Sequence, residues 1–160
     1  MGVTDGLAAE TRSQWPSTTA TSLTSLGCGL PPGEHGVVGY SFREPSVDRV
    51  INALTWEGGP DDVYGFAQAP TVFERLASEG HQSSAVTLAR FANSALTRLA
   101  FAGTTLLPVT EEGSLEQVGG LVDEALTHSR VVYCYERMLD HTGHGFGVGS
   151  WQWLDRLGIV

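Results

Sequence analysis

The chain has 160 residues, enough for one ordinary domain. At that size folding buries roughly 70% of the unfolded surface, so neither a metal nor a disulfide is needed for stability. Charged residues make up only 17%, and 20 Gly with 7 Pro mark a loop-rich globular chain, a poor fit to coiled coil, collagen or tandem repeat. Nine basic against 18 acidic residues give a net charge of −9, which argues against a non-specific grip on nucleic acid or anionic membrane, because both need clustered Lys and Arg.

Met1–Ser13 has no basic start and no apolar core, so it reads as an extended or disordered lead-in rather than a signal or transit peptide. No stretch approaches the ~20 apolar residues of a membrane span, and a cytoplasmic location is expected. Cys28 and Cys134 lie far apart without a CxxC, which suits buried free thiols in a reducing compartment.

Trp15-Pro16 precedes a run in which seven of the nine residues 17–25 are Ser or Thr, with apolar residues at 20, 23 and 26. The spacing predicts a short helix capped near Ser17 or Thr18 and stopped by Gly27 or Gly29. Its composition needs a reason, because Ser and Thr hydroxyls compete for backbone partners and make mediocre helices. Pro31–Gly36 predicts a rigid turn, Val37–Phe42 a short strand and Val50–Trp56 another, with a loop over 57–62. Thr71-Val72-Phe73-Glu74 is a capping box that opens a helix running to Gly80, and Ser84–Leu88 is the strand after it. Residues 92–107 are apolar and ambiguous, with a short helix over Ser94–Ala100. Ser114-Leu115-Glu116-Gln117 offers a second capping box, and Leu115, Val118, Leu121, Val122, Ala125 and Leu126 mark one face of a helix reaching about His128. Arg130–Tyr135 is a continuous apolar run of the kind buried on both faces of a sheet. This alternation predicts an α/β fold, a mostly parallel sheet flanked by helices, in one domain.

In such sheets ligands collect beyond the carboxyl ends of the strands. Two places qualify. One is Thr19, at a helix N-terminus where free N–H groups and the dipole favour a phosphate, although Ser17 and Thr18 as mere caps remain the plainer reading of local sequence. The other follows the last strand, where Asp140, His141 and His144 suit zinc or a similar divalent ion, and the glycines around His144 let the chain fold back so that Asp140 and His144 face one centre. His35, framed by Glu34 and Gly36, reads as a structural hydrogen-bonding histidine, and His81 and His128 near helix ends as unremarkable.

Pro16-Ser17-Thr18-Thr19 followed by Gly29-Leu30-Pro31-Pro32-Gly33-Glu34-His35-Gly36 resembles the nucleophile segment, P-x-x-T then T-G-L-x-P-x-x-H-G, of the type I phosphodiesterase and nucleotide pyrophosphatase family of the alkaline phosphatase superfamily. Asp140-x-x-Gly143-His144 resembles that family's D-x-x-G-H metal motif. The resemblance covers about Gln14–Leu157, less than half of a complete family domain, and implies an incomplete alkaline-phosphatase-like core. It implies Thr19 as the nucleophile that forms a phosphothreonine-linked intermediate, divalent metal, zinc first, as cofactor, Thr19 on one zinc, and Asp140 with His144 on the other. The substrate implied is a phosphodiester or nucleotide, and bound cations would answer the problem posed by the −9 charge.

Three departures from the pattern stand out. Cys28 replaces the Thr of T-G-L, Tyr40 stands where well-known members carry an Asn that helps hold a phosphate oxygen, and further Asp and His ligands have no evident home. Asp5 is a poor upstream candidate, and only 16 residues without histidine follow His144. The expectation is therefore a fragment prone to self-association or completed by another chain. The alternatives are a non-catalytic remnant that binds phosphate, nucleotide or a partner chain without turnover, and a phosphomonoesterase or sulfatase-like enzyme, the sulfatase disfavoured by a Thr nucleophile.

Overall fold

The computed structural model describes residues 13–67 and 69–159, so Asp5 and most of the predicted lead-in lie outside the described residues. Helix α1 (Thr19–Cys28) starts at Thr18, the second of its two candidate caps, and ends at Gly29, which takes the left-handed φ of 69° that a residue without Cβ adopts freely. Pro31–Gly36 is a turn of helix, α2 (Pro32–His35), with Pro at its first position. Strands β1 (Ser41–Glu44) and β2 (Arg49–Asn52) form an antiparallel hairpin, shifted from the predicted ranges. Val37 lies outside the strand, fully buried in the core with Ile51, Leu96 and Leu99.

The capping box of α3 (Val72–Ser78) is complete: Thr71 Oγ1 accepts the Glu74 amide at 3.0 Å and the Glu74 carboxylate accepts the Thr71 amide at 2.8 Å. Strand β3 (Ser83–Leu88) leads through a 3-10 turn (Ala89–Phe91) into α4 (Ala95–Ala100), capped by Ser94. Strand β4 (Thr105–Val109) falls largely in the ambiguous stretch; Pro108 obscures it, being compatible only with an edge position. Helix α5 (Leu115–Leu126) packs Val118, Leu121 and Val122 on β3 and β4, while Leu126 points outward. Its capping box is half made, because Gln117 Oε1 turns to the amides of Thr110 and Glu111, both at 2.9 Å.

Strand β5 (Val131–Cys134) precedes α6 (Met138–Phe146) and α7 (Trp151–Leu157). The sheet is parallel with order β4-β3-β5 among the described residues, Val86 opposite Leu107 and Ala85 opposite Tyr133. This corrects the reading of 130–135 as the strand covered on both faces. That strand is β3, buried at every residue despite two serines, while β5 pairs only with β3 among the described residues and exposes Val131 and Cys134. Cys134 is thus a free exposed thiol, unlike the free and buried Cys28. No helix among the described residues is long and apolar enough to cross a membrane.

Candidate functional site

The odd composition of α1 has a packing reason. Thr21, Thr24 and Ser25 lie on its buried face, and each hydroxyl is satisfied locally: Thr21 by the Thr18 hydroxyl at 2.9 Å, Thr24 by the Ala20 carbonyl at 2.8 Å, Ser25 by His35 Nε2 at 2.8 Å. His35 is only 2% exposed, and its Nδ1 accepts the Val37 amide at 3.1 Å, so Nε2 carries the proton toward Ser25. Burial holds the imidazole below its ordinary pKa, against the opposing effect of its own backbone hydrogen bond. The histidine of the P-x-x-H-G segment is therefore structural, tying the α2 turn to α1. At the other end of α1, Gly27 lies flat on Ala100 of α4, where a Cβ would meet the carbonyl oxygen at 1.9 Å.

This packing sets Thr19 as an exposed residue in the first turn of α1. Thr18 takes up the Thr21 amide at 3.2 Å, whereas the amides of Thr19 and Ala20 have no intrahelical acceptor and add to the positive end of the dipole. Thr19 lines a cavity of about 210 Å³ with Leu23, Leu54, Thr87, Phe91, Thr97, Tyr133 and Tyr135 among its walls. Thr87 and the two tyrosines lie at the carboxyl ends of β3 and β5, where α/β sheets bind ligands. None of the lining residues is Lys or Arg, so side chains bring no positive charge to the cavity wall. Burial, with smaller contributions from Tyr135 and Cys134, pushes the Tyr133 phenol up to about 12. Burial and then the Asp140 carboxylate raise Tyr135, so both phenols remain neutral donors at physiological pH. The tyrosines could have been read from sequence by extending the strand-end rule; Thr87 and Phe91 carried no local signal.

Asp140 and His144 do not lie on a loop folded back by glycines. They occupy one face of α6, a turn apart, with Asp140 Oδ1 3.6 Å from His144 Nε2 and both side chains largely exposed. They line a different cavity from Thr19, with Gly143, Val148 and Trp153; Tyr135 stands on the Thr19 cavity and senses the Asp140 charge. Two donors each about 2.0–2.1 Å from a tetrahedral zinc sit roughly 3.3 Å apart, so the observed spacing fits two ligands of one ion. His141 points elsewhere, its Nδ1 3.4 Å from Arg137 Nη2. No third His, Cys, Asp or Glu joins the pair among the described residues. Tyr40, at the departure from the family pattern, is exposed and does not line the Thr19 cavity.

Ion pairs that sequence reasoning missed tie the strand ends together. Glu112, after β4, pairs with Arg90 after β3 at 2.7 and 2.8 Å and with Arg137 after β5 at 2.7 Å. The Arg90 hydrogen bonds, helped by Arg137, hold the Glu112 carboxyl below its usual range. Glu136 accepts the amides of Met138 and Leu139 at 2.9 and 3.0 Å and Arg156 Nη2 at 2.7 Å. Burial pushes its carboxyl up, but Arg156 and the two amides outweigh this and leave it below the ordinary value.

Among solved structures, murine ectonucleotide pyrophosphatase / phosphodiesterase 5 is similar with a TM-score of 0.61 and 19% identity over 89% of this chain and 38% of that one. An inactive threonine-to-alanine form of that enzyme in complex with AMP gives 0.60 and 18% over the same shares. Phosphonoacetate hydrolase from Sinorhizobium meliloti 1021, in complex with phosphonoformate, gives 0.53 and 20% over 81% of this chain and 37% of that one. The chain thus spans well under half the length of these structures, and at such identities the likeness speaks for the fold, an α/β core shared with phosphodiesterase- and pyrophosphatase-like hydrolases. No curated protein matches in sequence. The family profile described as type I phosphodiesterase / nucleotide pyrophosphatase matches residues 3–160, nearly the whole length, and the chain belongs to that family.

Proposed function

We propose that this chain contributes the nucleophile and half of one metal site to a metal-dependent phosphodiesterase or nucleotide pyrophosphatase. The observation that carries the reading is Thr19 in the first turn of α1, exposed at a cavity beyond the carboxyl ends of β3 and β5. That a neighbour in complex with AMP is described as inactive once a threonine is changed to alanine supports a threonine nucleophile. Thr19 Oγ1 attacks phosphorus as its proton passes to solvent, the P–O bond to the leaving group breaks, and water later cleaves the phosphothreonine. Asp140 and His144 would hold a divalent ion, zinc first, which supplies charge neutralisation and lowers the pKa of a bound water. The α1 dipole favours the anionic phosphate at Thr19, and Tyr133 and Tyr135 remain protonated along the wall.

Zinc content and hydrolysis of a chromogenic phosphodiester test this reading. Zinc-dependent turnover that falls to background in Thr19→Ala and loses its metal dependence in Asp140→Asn is the expected result. Turnover that survives Thr19→Ala removes the mechanism. The half-formed metal site favours a second reading, in which the chain binds phosphate or nucleotide without turnover; stoichiometric zinc with no hydrolysis selects it.

A further inference from the structure

The helix that carries Asp140 and His144 begins in an unusual way. Arg137, at its N-cap position, has helical φ and ψ of −90° and −27° and makes no side-chain capping bond. The two amides at the start of α6 are taken up by the residue before it: Glu136 Oε1 accepts from Met138 and Oε2 from Leu139. The same carboxylate receives Arg156 Nη2 from α7, and the two side chains are only 15% and 18% exposed. Arg156 Nε is buried without a partner, so the pair rests on Nη2. A second contact lies one turn along, where the Trp153 indole sits so close to Gly143 that a Cβ there would meet it at 3.3 Å.

We infer that Glu136 is a positioning residue for the Asp140–His144 pair, its carboxylate starting α6 while Arg156 locks that carboxylate to α7. This rests on the proposed reading of Asp140 and His144 as metal ligands. The physical reason is direct. Both ligands sit on the first two turns of α6, where fraying would be greatest without a cap, and a charged acceptor shared by two amides and a guanidinium holds that end in one orientation. Gly143 of D-x-x-G-H lets α6 approach α7 closely, since a Cβ there would lie 3.3 Å from Trp153 and the indole would have to give by a few tenths of an ångström.

The test uses the 160-residue chain with Zn²⁺ alone, following the His144 imidazole resonance by NMR, together with amide hydrogen exchange. Glu136→Ala and Arg156→Met should each speed exchange at residues 138–144 at least tenfold while α5 is unchanged, and should weaken Zn²⁺ binding at His144 by about tenfold. Arg156→Lys, which keeps one charged donor, should restore both to within about threefold. Zn²⁺ affinity unchanged in Glu136→Ala, or loss of protection throughout the molecule in both variants, overturns the inference. If the unaltered chain shows no Zn²⁺ effect at His144, the metal reading fails and the exchange result decides on Glu136: local acceleration in α6 upholds its role, and unchanged exchange removes it.

Discussion

Replacing Gly27 by alanine sets two well-known effects against each other. Within a helix the change should gain up to about 1 kcal/mol from propensity alone. At this position the new Cβ would lie 1.9 Å from the Ala100 carbonyl oxygen, 2.7 Å from its carbon and 2.9 Å from its Cα, so the obstacle is backbone that no rotamer change can clear. Overpacking costs about 1–3 kcal/mol, and a rigid neighbour puts this site at the upper end, for a net loss of about 2 kcal/mol. At about 2–4 °C per kcal/mol for a chain of this size, Tm should fall by roughly 4–8 °C. The matched control is Gly119→Ala in α5, where nothing lies within 4 Å of the added Cβ and propensity acts alone, raising Tm by about 2–4 °C. Thermal melts of the two variants decide the matter. The same substitution should change stability in opposite directions, and stabilisation by both would refute the close α1–α4 contact that sets the level of Thr19, about 12 Å along the helix.

The buried His35 makes stability depend on pH. Its folded pKa lies below the unfolded value because burial disfavours the charged ring, so the unfolded chain binds the extra proton first. Stability is full above about pH 6.5 and is lost as pH falls toward the folded pKa; urea titrations at pH 7.5 and 5.5 should show this slope in the unaltered chain and a shallower one in His35→Gln. Thr71→Ala removes both the α3 cap and the 2.6 Å hydrogen bond from Thr71 Oγ1 to the Ala102 carbonyl, and should cost about 2 kcal/mol in denaturant melts. Thr19→Ala, by contrast, alters an exposed residue that is not the cap, and should leave stability within about 0.5 kcal/mol even where it abolishes hydrolysis.

Local chemistry was legible wherever a residue acts on its own neighbours. Thr71 and Ser114 cap the helices they were read to cap, Thr18 is one of the two caps expected for its helix, and Ser94, read as the first residue of its helix, caps it, because a hydroxyl reaching an amide three residues on needs no tertiary partner. The misreadings share a different cause. Val37 has strand-like sequence but is drawn into the core, Pro108 conceals an edge strand, and the apolar run at 131–134 lies beside the central strand instead of at the centre.

The candidate site divides along the same line. From sequence alone came the residue types, Thr19 at a helix start and an Asp–His pair after a strand, together with an excess of 18 acidic over nine basic residues that leaves side-chain charge ill suited to attract an anionic substrate. Only the tertiary structure placed Thr19 and the metal-type pair in separate cavities, raised Asp140 and His144 onto one helical face, and brought Arg156 across from α7 to Glu136. A side chain's chemical type is written in the chain, but its partners from distant elements depend on strand order and helix packing, and those follow from burial of the whole core.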